Sequence, residues 1–101
     1  MAAIQVGDNE KSGIVTISIR ERFDFGLHKE FRSTYKDRDS SASYVINMLE
    51  VNYIDSSALG MLLLLREHAM KHKGKVSIRG CNNEIKKILT IANFDRLFDI
   101  Q

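Results

Sequence analysis

Apolar residues at alternate positions open the chain. Ile4 and Val6 have polar neighbours, and Ile14, Val15, Ile17 and Ile19 form a β-branched run with Thr16 and Ser18 between them. Such period-two alternation turns one side of a strand toward a core and the other toward solvent. The intervening Asn9-Glu10-Lys11-Ser12-Gly13 carries turn residues, so an antiparallel hairpin is predicted. The charged Arg20-Glu21-Arg22 is expected to end its second strand. Phe23-Asp24-Phe25-Gly26 then forms a loop. Leu27, Phe31 and Tyr35, at i, i+4 and i+8, predict a first helix with Lys29, Glu30, Arg32 and Lys36 facing away. Residues 37–43, polar and containing a serine pair, read as a surface loop.

The most apolar strand candidate is Tyr44-Val45-Ile46-Asn47-Met48-Leu49, which is expected to be central. It feeds a helix predicted from Ser57 to about His72, so the next strand is reached by a crossover and pairs in parallel. Lys71, Lys73 and Gly74 supply that helix's C-terminal charge and stop signal. Val76, Ser77, Ile78 and Arg79 make a further short strand. Asn82 or Asn83 caps a last helix with Ile85, Ile88, Leu89 and Ala92 on one face, ended by Asn93. Phe94, Leu97, Phe98 and Ile100 hold the tail down, with a final edge strand expected there. The order β-β-α-β-α-β-α specifies an α/β fold, a mixed sheet covered by helices.

The long helix carries two apolar arcs. At 100° per residue, Ala58, Met61, Leu62, Leu65 and Ala69 share the stripe expected to face the sheet. Leu59, Leu63 and Met70 lie on a second arc, bordered by Arg66 and Glu67. That arc needs its own cover, either a neighbouring helix of the same chain or a partner protein.

Composition narrows the function classes. With 101 residues, 44% of them hydrophobic and 28% charged, the chain can close one core as a single domain, residues 1–101. Fifteen basic and thirteen acidic residues leave a net charge of +2, too small a field to favour nucleic acid or anionic lipid. The lone Cys81 cannot make an internal disulfide and fits a small core position in a reducing cytoplasm. Residues 1–12 show no secretory pattern, and the apolar run 61–65 is far short of the about 20 residues a membrane span takes. A cytoplasmic protein without membrane insertion is expected.

Enzyme signatures are missing. Ser56 lies between Ile54 and Ala58 rather than between the glycines of a hydrolase elbow. His68 and His72, four apart on a helix, could share a metal, but no third ligand stands at a matching spacing, so no metal site is assigned. Lys73-Gly74-Lys75 lacks the rest of a phosphate-binding loop. No cofactor and no catalytic residue are expected. Asp55-Ser56-Ser57, at the strand-to-helix corner, has two compatible readings: a helix cap, or a hydroxyl exposed for modification.

Ile54-Asp55-Ser56-Ser57-Ala58-Leu59-Gly60, placed between a strand and an apolar helix, resembles the signature of the STAS domain. More closely, it resembles that of single-domain bacterial anti-sigma factor antagonists, and the resemblance covers nearly the whole chain. It implies a four- to five-stranded mixed sheet with helices mainly on one side. It also implies a phosphoacceptor at Ser56, with Asp24 beside it on a binding face that takes in Asp55, Ser57, Leu59 and Leu63. The implied partners are an anti-sigma factor with serine kinase activity and a PP2C-like phosphatase. Unphosphorylated antagonist would bind the anti-sigma factor and release sigma; phosphorylation would block that binding. Two positions depart from the pattern: Ala58 replaces a glycine, and Glu21-Arg22 replaces Gly-Glu. The same fold would also suit an accessory subunit of a lipid-transport ABC complex, or a biofilm or motility regulator acting on a non-sigma partner.

Overall fold

The structure, a computed structural model, describes residues 3–9, 11–38 and 42–101. Glu10 of the first turn and the serine pair at 40 and 41 lie outside the described residues. Alternation in the first strands produces β1 (Ile4–Asn9) and β2 (Ile14–Phe23), an antiparallel pair in register from Ile4 opposite Ile19 to Asn9 opposite Ile14. Gly13 permits the turn, with φ at +69°, and donates its N–H to the Asn9 carbonyl at 2.9 Å.

A 3-10 turn (Phe25–Leu27) leads into α1 (His28–Ser33), and the chain returns along β3 (Ser43–Ile54). Then follow α2 (Ser56–Lys71), β4 (Val76–Arg79), α3 (Asn83–Ile91), a second 3-10 turn (Phe94–Arg96) and β5 (Asp99–Ile100). The five strands stand side by side in chain order, with β1 antiparallel and all later pairings parallel. Val15, Ile17, Ile19, Tyr44, Ile46, Met48, Val76 and Ile78 are buried on one face of the sheet. The residues between them, Thr16, Ser18, Val45, Asn47 and Ser77, are only half-buried. All helical cover therefore lies on the first face.

Helix α2 supplies most of that cover. Its buried residues are Ala58, Met61, Leu62, Leu65 and Ala69, the stripe the helical period predicts. Its end is built from backbone geometry. Lys73, at φ +63°, turns the chain, the Lys73 N–H reaches the Met70 carbonyl at 3.1 Å, and the Gly74 N–H reaches that of Ala69 at 2.7 Å. Lysine thus occupies the left-handed position where glycine is usual. Gly74 serves another need, because a Cβ there would overlap the Ala42 carbonyl.

Several sequence expectations are corrected. Strand β2 does not stop at Arg20; it continues to Phe23 through an irregularity at Glu21, where φ is +62°. The charges that argued for an end are held by β3: Arg20 pairs with Glu50 at 3.3 Å, and the Arg22 guanidinium lies 4.0 Å from the centre of the Tyr53 ring. Strand β3 likewise runs on past Leu49 to Ile54, and α2 begins one residue early, at Ser56. Helix α1 is short, so Tyr35 packs from the turn after it. On α3 only Ile85 and Leu89 are buried; Ile88 and Ala92 face solvent because the helix rests on the sheet along one narrow line.

Tyr44 is buried, and its hydroxyl has no hydrogen-bond partner among the described residues. An unmet buried hydroxyl costs about 1–3 kcal/mol. Tyr44→Phe is therefore expected to raise stability to urea by about 1 kcal/mol. Burial also raises the pKa of the Tyr44 and Tyr35 phenols above 10.0. The folded chain thus keeps protons that the unfolded chain has released, and stability falls as pH rises past 10.0. Tyr44→Phe should make that alkaline fall shallower in pH-dependent melting. Separately, Gly74→Ala should cost about 1–3 kcal/mol, because backbone must move to admit the new methyl; denaturant titration measures it.

Candidate functional site

Strands β2 and β3 end together, Phe23 opposite Ile54, and each hands on to an aspartate at the start of a helical turn. Asp24 accepts the Gly26 N–H on Oδ1 at 3.0 Å, capping the first 3-10 turn. Asp55, in extended conformation, accepts the Ala58 N–H on Oδ1 at 2.9 Å and so caps α2. Its second oxygen accepts the Phe25 N–H at 3.2 Å, and its own N–H donates to the Phe23 carbonyl at 3.4 Å. One carboxylate thus fixes both the helix end and the adjoining loop.

The cap is Asp55, and neither hydroxyl performs that role. Ser56 is the first helical residue and exposed; Ser57 follows, half-buried. The Ser56 and Ser57 N–H groups have no partner among the described residues, as expected at the first turn of a helix. The positive end of the α2 dipole therefore opens beside the Ser56 hydroxyl. Asp24 reaches the same corner through the Phe25–Asp55 bond, and its Oδ2 lies 3.3 Å from Arg22 Nε.

Of the second α2 arc, Leu59 is half-buried against the core, whereas Leu63 and Met70 expose 38% and 56% of their surface. Two exposed aromatic contacts near the corner were not foreseen. Phe25, 61% exposed, stacks on His28 with ring centres 4.6 Å apart, and Tyr53 carries Arg22 on its face. The Arg22–Tyr53 contact depends on β2 pairing with β3 as far as Phe23, which the charged run concealed.

The other reactive side chains lie elsewhere. Cys81 is half-buried against the core, and burial raises its thiol pKa, keeping it protonated at neutral pH. His68 is not a bare surface residue: it sits 5.1 Å from the Tyr35 ring and 4.8 Å from His72, and its Nε2 is 2.8 Å from the Arg38 carbonyl. Among the described residues no three His, Cys, Asp or Glu side chains are grouped to hold a metal. No helix there is long and apolar enough to cross a membrane.

Asp55→Ala removes an acceptor from both the helix and the loop. It should cost about 1–2 kcal/mol and speed amide exchange at Ala58 and Phe25 together. Exchange measured by NMR that rises at Ala58 alone would show the two are not joined through this carboxylate.

Comparison with known proteins places this geometry. The STAS domain family matches residues 6–101. A STAS-domain containing protein of Pseudomonas aeruginosa is 47% identical over 87 residues, spanning 85% of this chain and 86% of its own. Among solved structures, an anti-sigma-factor antagonist (STAS) domain protein from Planctomyces limnophilus superposes with a TM-score of 0.83 at 15% identity, covering 100% of this chain and 90% of its own. The anti-sigma factor antagonist SpoIIAA of Bacillus is similar in its unphosphorylated form, with a TM-score of 0.77 at 15% identity and coverage of 98% and 87%. In its phosphorylated form the TM-score is 0.70 at 13% identity, with coverage of 98% and 91%. The five-stranded mixed sheet, its helices on one face and the match from residue 6 to 101 establish that the chain belongs to the STAS domain family.

Proposed function

We propose that this chain is a partner-switching regulator that binds an anti-sigma factor with serine kinase activity when Ser56 is unmodified and lets go when Ser56 is phosphorylated. The carrying observation is the division of labour at the corner. Asp55 does the capping, so Ser56 is left exposed at the first position of α2 and can change without loss of the cap. A phosphate there adds about −1.5 to −2 charges. The free amides and dipole of the helix accept that charge, so the fold is kept. A partner seated over Asp24, Asp55 and Ser56, and extending along Ser57, Leu59 and Leu63, instead meets new negative charge beside two carboxylates. Binding is switched without unfolding.

The existence of SpoIIAA in both unphosphorylated and phosphorylated forms with this fold supports the reading. A PP2C-like phosphatase would restore the binding form, and the cytoplasm is where such partners meet. The chain itself has no catalytic part in this scheme. Arg22 on Tyr53 adds a cation next to Asp24 that tunes which partner surface is accepted.

Ser56→Ala should remain bound to the partner kinase even with ATP present. Ser56→Asp should bind at least about tenfold more weakly, a difference of about 1.4 kcal/mol, while Ser57→Ala should behave like the parent. Pull-down and calorimetry with the purified pair measure this. Phosphate found by mass spectrometry on another residue, with Ser56 unmodified, would refute the site.

A further inference from the structure

Helices α1 and α2 do not close on each other completely. Between them lies a cavity of about 500 Å³ lined by His28, Phe31, Arg32, Tyr35, Lys36, Met61, Leu64 and His68. That volume lies within the roughly 300–1,000 Å³ of small-molecule sites. Its wall has two kinds of surface. Leu64, 55% exposed, supplies most of the apolar surface, with only the edges of the buried Phe31, Tyr35 and Met61 beside it, while Arg32 and Lys36 supply two cations. No acidic side chain lines it; Glu67 lines a neighbouring, more open depression with His68, and its charge reaches the Tyr35 phenol.

His68 adds a directed group. Its Nε2 faces the Arg38 carbonyl at 2.8 Å, and a carbonyl oxygen only accepts, so Nε2 carries the proton. The ring is held by Tyr35 and His72, leaving Nδ1 as its other polar atom. An apolar surface lined also by two cations matches a ligand of the same two-part character.

We propose that this cavity binds a planar aromatic carboxylate, the ring lying on Leu64 and the accessible edges of Phe31, Tyr35 and Met61 and the carboxylate meeting Arg32 and Lys36. Arginine is suited to that head group because its fork of N–H donors engages both carboxylate oxygens. The cavity is separate from the Ser56 corner, and the inference does not depend on the phosphorylation reading. The two are nevertheless linked through the chain: α1 follows directly from the turn whose Phe25 N–H is held by Asp55. A ligand wedged against α1 therefore packs on the element that directly follows the turn capped by Asp24.

The test is an NMR titration of the whole chain with 2-naphthoate, and with 2-naphthamide as the uncharged counterpart. Saturable shifts at the amides of Phe31, Leu64 and His68 are expected for the carboxylate. The amide should bind about tenfold more weakly, as should naphthoate to the Arg32→Gln/Lys36→Gln variant. Both replaced residues are exposed, so the fold should survive, and circular dichroism checks that it does. Equal binding of acid and amide, shifts centred elsewhere, or no saturation by the low millimolar range would overturn the proposal.

Discussion

The Asp55 carboxylate is the point where strand, helix and loop are joined. Its two oxygens accept from Ala58 and from Phe25, residues belonging to elements that the sequence separates by some thirty positions. The helix could be capped by serine or asparagine just as well. A single hydroxyl, however, would not hold the Phe25 amide in the same way. The aspartate at this corner therefore answers two geometric demands at once, and Ser56 is relieved of both.

That arrangement rests on β3. It pairs with β2 along one side as far as Ile54, whereas β4 pairs on the other side only with Tyr44 to Asn47, so the position of Asp55 is set by β2. Below the corner, Ala58, Leu62 and Leu65 bury completely and fix the α2 axis against the sheet. Ser56 is consequently mobile only as a side chain: the backbone beneath it is tied by the cap, the sheet and the core. A surface presented in this way loses little freedom on binding, which favours recognition by a preformed partner surface.

What was legible in the sequence was what local periodicity and capping chemistry encode. The buried stripe from Ala58 to Ala69 follows from 3.6 residues per turn, and Asn82 capping α3 through the Ile85 N–H follows from side-chain reach. The existence of a corner at Asp55 was visible for the same reason, though not which oxygen would cap it. The continuation of β2 was hidden because Arg20 and Arg22 are satisfied by Glu50, Asp24 and Tyr53, and all but Asp24 lie on a different strand. Local polarity argued for an end where distant pairing made a strand. The Phe25–His28 stack is a local contact across the 3-10 turn, whereas the α1–α2 cavity depends on helix packing that no single segment specifies.

The chain-ordered sheet has a consequence for how change is tolerated. Because the path never returns to an earlier strand, everything after the α2 stop at Lys73 and Gly74 meets the rest chiefly along the seam where β4 lies on β3, from Tyr44 opposite Val76 to Asn47 opposite Arg79. Arg66 bonding the Leu97 carbonyl at 2.9 Å and Asn82 bonding the Val51 carbonyl at 3.5 Å add further links. The corner at Ser56 lies wholly upstream of that seam. The C-terminal third is nonetheless part of the same core, since Val76, Ile78, Ile85, Leu89, Phe94 and Phe98 bury with β2, β3 and α2, so only its exposed positions can drift while the corner keeps its shape.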